Sequence, residues 1–145
     1  MAYDDHRYLK YDSSVEVSQA AYLSNSCNAN RNSDNDTPTI VGEFSLSPPS
    51  NVQDDPDWST TTQTAFYKQW FAAQVTNFES TTNGWIFWSW KAQLGDYRWS
   101  YQGTLSLYPH AQRGANPSCF LEAVTAGVIP ANIADVFNEG ACNGI

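Results

Sequence analysis

At 145 residues and 41% hydrophobic content, the chain is the size of one domain and has enough apolar side chains for a core. A net charge of −8, with only seven Lys and Arg, argues against nucleic acid and against anionic membranes, since both are held by clustered cations. A neutral polymer, recognised by stacking and hydrogen bonds, is compatible with the six Trp, eight Tyr and seven Phe.

His6-Arg7-Tyr8-Leu9-Lys10-Tyr11 alternates and is rich in aromatics, which predicts a strand. Residues about 14 to 24 carry Val15, Val17, Ala20, Ala21 and Leu23 at helical spacing, with Ser13 or Ser14 as the expected cap. Cys27 to Asp36 is a polar loop. Pro38 to Ser45 reads as a short apolar strand that ends near a carboxylate, Glu43. Thr60 to Glu79 is the clearest helix, with Phe66, Trp70, Ala73 and Phe78 on or near one face, and Asn83-Gly84 ends it. Trp85-Ile86-Phe87-Trp88-Ser89-Trp90 is a near-continuous apolar run, the pattern of a parallel strand buried on both faces. Lys91 to Tyr101 reads as loop and Ala131 to Glu139 as a closing helix. Strand, helix, strand, helix, strand, helix implies βαβ units and a parallel sheet, an α/β fold.

No apolar run reaches 18 residues, so no membrane span is expected. No leader-like segment is present; secretion would require a leader already removed or a longer parent. The three cysteines, Cys27, Cys119 and Cys142, leave one over after any pairing. None has zinc-ligand spacing, and His6 and His110 lie far apart, so neither a metal nor a cofactor is expected. Acidity, few Lys and many Asn, Ser and Thr fit a secreted, extracellular protein.

Active sites of α/β barrels lie at the C-terminal ends of the strands. Glu43 sits at such an end, although Glu is disfavoured in strands. His6 and Tyr8 lie two apart on one face of their strand, as do Trp88 and Trp90 on theirs. The joint set is a His-x-Tyr strand, a Gly-Glu strand end and a Trp-rich strand, in that order.

Three blocks carry a family likeness. They are Tyr3-Asp4-Asp5-His6-Arg7-Tyr8-Leu9-Lys10, Thr37-Pro38-Thr39-Ile40-Val41-Gly42-Glu43-Phe44-Ser45 with the following Leu46-Ser47-Pro48-Pro49, and Gly84-Trp85-Ile86-Phe87-Trp88-Ser89-Trp90 continuing to Tyr101. In these blocks the chain resembles glycoside hydrolase family 5, and within it the fungal endo-β-1,6-glucanases and their exo-β-1,3-glucanase relatives. The resemblance implies a partial (β/α)8 TIM barrel, roughly its last three βα units. It implies that Glu43 is the nucleophile, that His6 and Tyr8 hydrogen-bond around it, and that Trp88, with Trp90 beside it, is the sugar platform. A retaining glycosidase forms a glycosyl-enzyme on one carboxylate while a second, about 5–5.5 Å away, transfers the proton. The implied ligand is a β-glucan or its oligosaccharides, with Lys91 to Arg98 pointing to the β-1,6 linkage.

Two departures qualify this. The family's acid/base lies in an Asn-Glu-Pro motif, and the only Asn-Glu here is Asn138-Glu139-Gly140. On the resemblance the chain starts at the sixth strand. General acid catalysis is typically worth about 10²–10⁴-fold, so little activity is expected from this chain alone. Second, residues 103–122 interrupt a join that is almost direct in the family, and are read as an inserted loop from a translated, unspliced intron. On that reading Cys27 and Cys142 are the family-type cysteines and candidates to pair, and Cys119 is adventitious.

A partial barrel leaves apolar strand faces without partners. Three outcomes are open: a homo-oligomer, a repacked smaller α/β sandwich, or dependence on a preceding segment. The competing function is a non-catalytic secreted protein that binds glucan through Trp88 and Trp90 or is perceived by a host receptor as an elicitor of plant defence.

Overall fold

A computed structural model describes residues 1–30, 37–89, 96–100, 123–124 and 126–145. Trp90, Cys119 and the 103–122 stretch lie outside the described residues.

Five main elements follow one another: β1 (Tyr3–Arg7), α1 (Gln19–Asn28), β2 (Thr39–Phe44), α2 (Thr64–Thr81) and β3 (Trp85–Phe87). The strands form one parallel sheet in the order β1-β2-β3. The alternating α/β order expected from the sequence is therefore present. The boundaries differ for local reasons. β1 begins at Tyr3 and ends at Arg7, because residues Leu9–Tyr11 close into a 3-10 turn. α1 starts later than expected because Ser18, not Ser13 or Ser14, is the cap: its hydroxyl accepts from the Ala21 N–H at 3.2 Å. The closing helix is a 3-10 segment, Ile133–Glu139.

The core lies between one sheet face and α2. Phe44 stands at its centre, with the rings of Phe78, Phe87 and Trp85 at 5.0, 5.2 and 5.6 Å. Further out, Tyr22 contacts Trp58 and Trp70 at 5.2 and 5.0 Å, tying α1 to α2. Polar bonds sit inside this apolar contact. The Trp70 indole donates to Ser26 Oγ at 3.1 Å. The Asn77 side chain, on α2, donates to the carbonyls of Cys27 and Ala29, which satisfies acceptors at the end of α1 that the helix leaves free.

β3 was expected to be buried on both faces, and it is buried on one. Phe87 is buried and Trp85 partly so, both against α2; Ile86 is 57% exposed and Trp88, just past the strand, 48% exposed. With Ile40 they mark the opposite sheet face, which no described element covers. The apolar face left open is thus that of Ile40 and Ile86, whereas Val41, Phe44 and Phe87 are covered. A disulfide joins Cys27, at the end of α1, to Cys142. No described helix is long and apolar enough to cross a membrane.

Burial also fixes how the fold responds to base. It pushes Tyr22 and Tyr67 up to about 12, and Tyr8 and Tyr97 higher still. Raised folded values mean the folded state holds these phenolic protons more tightly than the unfolded chain does. The contribution is fully present below the ordinary tyrosine value of about 10 and is lost as pH rises through the folded values. Stability should therefore fall from about pH 10 upward, with at least four of the eight tyrosines ionising late by ultraviolet titration. Eight tyrosines ionising together near pH 10 in the folded chain would contradict this.

Candidate functional site

A bulge shapes the site. β1 and β2 run in register from Tyr3–Thr39 to Asp5–Val41, and then His6 pairs with Glu43, skipping Gly42. On the other side three residues of β3, from Trp85 to Phe87, match four of β2, from Val41 to Phe44. Strict alternation would send Glu43 to the same face as Val41, into the α2-covered core. The extra residue resets the alternation. Phe44 takes the buried position and the Glu43 carboxylate is left only partly buried, 26% exposed, at the C-terminal end of the sheet.

Glu43 meets two groups from β1 and the turn after it. The Tyr8 hydroxyl donates to Glu43 Oε2 at 2.7 Å, and His6 Nδ1 lies 3.5 Å from the same oxygen. The Tyr8 phenol is held well above its ordinary ionisation range, first by burial and then by the hydrogen bond to Glu43. It is therefore a fixed proton donor to the carboxylate. The structure brings His6, Tyr8 and Glu43 together. Trp88 follows β3 at the same end of the sheet; its backbone N–H donates to the Phe44 carbonyl at 2.7 Å, and the Trp88–Ser89 peptide is cis. Trp90 lies outside the described residues.

Groups the sequence reading did not single out complete the surroundings. Trp99 and Tyr11 each lie 6.0 Å from the Tyr8 ring. Lys10 Nζ stands 4.8 Å over the Trp99 ring and donates to Ser47 Oγ at 3.2 Å. Burial lowers the Lys10 ammonium, and Arg98 adds to that. Trp99 is placed by its short 3-10 turn, which the Asp96–Arg98 ion pair braces from below. These residues belong to loops, and their meeting with Tyr8 has no periodic signature. Asn35-Asp36-Thr37 fits the Asn-x-Thr pattern of a glycosylation acceptor; Asn35 lies outside the described residues. Among the described residues no three His, Cys, Asp or Glu side chains gather as a metal site would require.

On the uncovered face, an open hollow of about 490 Å³ runs beside this cluster, lined by Tyr3, Asp4, His6, Ile40, Glu43 and Ile86. A carboxylate held by a phenol and an imidazole, opening on a partly apolar hollow, can act as a nucleophile toward a neutral ligand or as a hydrogen-bond acceptor for its hydroxyls.

Comparison with known proteins finds a consistent set of relatives. The chain is 48% identical over 143 residues to the Aspergillus terreus protein named "Probable glucan endo-1,6-beta-glucosidase B", covering 99% of this chain and 30% of that one. It is 47% identical over 141 residues to "Glucan endo-1,6-beta-glucosidase B" of Emericella nidulans, covering 97% and 29%. With an Aspergillus fumigatus protein of the same probable activity the identity is 64% over 106 residues, 73% of this chain and 26% of the relative. The chain thus spans about 30% of the length of these curated relatives. No family model and no solved structure matches it.

Proposed function

This chain is a relative of the fungal glucan endo-1,6-beta-glucosidases, and from that premise we propose that it is the nucleophile-bearing end of a retaining β-1,6-glucan hydrolase barrel. The observation that carries the reading is the Glu43 carboxylate at the C-terminal end of a parallel sheet, bonded by the Tyr8 hydroxyl at 2.7 Å. Glu43 is the nucleophile. Tyr8 donates a hydrogen bond to its Oε2, and His6 stands beside the same oxygen. Trp88, with Trp90, offers a ring face to the C–H surface of a pyranose. The three βα units are the end of a (β/α)8 barrel, and the face bearing Ile40 and Ile86 is part of the barrel interior.

The same reading explains what the chain lacks. A retaining mechanism needs a second carboxylate to protonate the leaving oxygen, and the sequence holds no Asn-Glu-Pro. That group, and the rest of the cleft, belong to the part of the relatives' length that this chain does not span. The site of action is extracellular, where a β-glucan polymer is met.

Residues 103–122 are an insertion relative to the enzyme lineage.

The purified 145-residue chain should release no reducing sugar from β-1,6-glucan, and neither should its Glu43→Gln variant. Release by the native chain that disappears in the variant would mean that another group replaces the missing acid, and would overturn the division of the site between two parts of a longer protein.

A further inference from the structure

Asp4 has no part in the proposed chemistry, yet its carboxylate is committed on both oxygens. Oδ2 lies 3.3 Å from His6 Nε2. Oδ1 occupies the space where a side chain at position 42 would begin: the ideal Cβ position of Gly42 overlaps it. The Gly42 backbone does not require glycine for its conformation, since its φ is not in the left-handed region. What glycine provides there is room. The bulge residue that turns Glu43 toward His6 is therefore also the residue that lets Asp4 lie flat across β2 and reach the imidazole.

From this we infer that Asp4 is a positioning residue that fixes the orientation and tautomer of His6 toward Glu43, in a seat that only glycine at position 42 leaves open. The inference rests on the reading of Glu43 as nucleophile. Each ring nitrogen of His6 faces a carboxylate, Nε2 toward Asp4 at 3.3 Å and Nδ1 toward Glu43 at 3.5 Å. Carboxylates only accept, and a neutral imidazole carries hydrogen on one nitrogen alone. Only the Asp4 contact has hydrogen-bond geometry: Nε2–H donates to Asp4, and the unprotonated Nδ1 stands beside Glu43 Oε2 without donating to it. A partner on one nitrogen that sets the role of the other is how an imidazole is commonly fixed for its task. Asp4 and His6 are both well exposed, so the contact adds little to stability. Its effect is on the ring and not on the fold.

Nitrogen-15 imidazole spectra of the 145-residue chain test this, and only two histidines, His6 and His110, need to be told apart. Across the neutral to alkaline range, His6 should show the Nε2–H signature. Asp4→Ala should shift it to a mixture of tautomers. Gly42→Ala, which leaves both partners chemically intact and only displaces the carboxylate, should do the same. Asp4→Asn keeps an acceptor oxygen in place and should retain most of the native signature. An unchanged His6 tautomer in a folded Asp4→Ala chain overturns the inference, whether or not Gly42→Ala folds. The outcome is separable from the proposed function. If the tautomer moves as stated but Glu43→Gln leaves hydrolysis by a longer protein untouched, the placement of His6 by Asp4 stands and the nucleophile reading falls.

Discussion

Replacing Cys142 with Ala should lower the unfolding free energy of the chain by about 2–5 kcal/mol, one of the largest losses any single substitution here can cause. Cys27 and Cys142 are 115 residues apart, so their bridge closes a loop that contains almost the whole core. On the chain-entropy account, a cross-link across about 100 residues removes close to 4.7 kcal/mol of freedom from the unfolded state. The folded side adds a local reason. Among its described residues the C-terminal segment has no strand or long helix. It is held by buried Val128, Ile129 and Val136, by the Lys68–Glu139 ion pair at 2.7 Å and by the bridge. Urea unfolding of the native chain, of Cys142→Ala and of the native chain under reductant measures the effect. The last two should agree and lie well below the first. A loss of only a few tenths of a kcal/mol would mean that the segment docks without its covalent tie.

The general architecture was legible because its signals are periodic. The α2 pattern of Phe66, Trp70, Ala73 and Phe78 gives a helix whose buried residues include all four. The apolar β2, with Ile40, Val41 and Phe44, and its Glu43 were visible as a strand with a carboxylate where apolar residues are the rule. Four features were not visible, each for a physical reason. The β2 bulge depends on pairing with both neighbours, and alternation within β2 alone misplaces Glu43. The cap at Ser18 competes in the sequence with Ser13 and Ser14, and only the hydrogen bond from the Ala21 N–H identifies it. The exposure of Ile86 and Trp88 follows from what does not cover them, while an apolar run reads the same with one face covered or two. The approach of Asp4 to Gly42 crosses between strands and leaves no mark in either strand's own pattern.

The other large effect expected is catalytic. In a protein that supplies the remaining part of the barrel, loss of the Glu43 carboxylate removes the atom that would form the glycosyl-enzyme bond. Glu43→Gln keeps the shape and still accepts from Tyr8, so binding is preserved while covalent catalysis is not. Deleting a covalent nucleophile acts on the order of 10⁴-fold or more in kcat. On the proposed reading, removing the acid/base carboxylate that the rest of such a protein would supply should cost less, about 10²–10⁴-fold. It should also cost least on glycosides whose leaving group departs without a proton. This contrast separates the two carboxylates: loss of Glu43 should hurt all substrates alike, and loss of the acid mainly those with poor leaving groups.

The most direct measurement joins the portion of one of the curated relatives that precedes the matched region to residues 1–145, with 103–122 removed, and follows reducing-sugar release from β-1,6-glucan. The account predicts hydrolysis by this chimaera and its loss, by about four orders of magnitude or more, on Glu43→Gln. Hydrolysis that survives Glu43→Gln at an undiminished rate would contradict the claim that this chain carries the nucleophile.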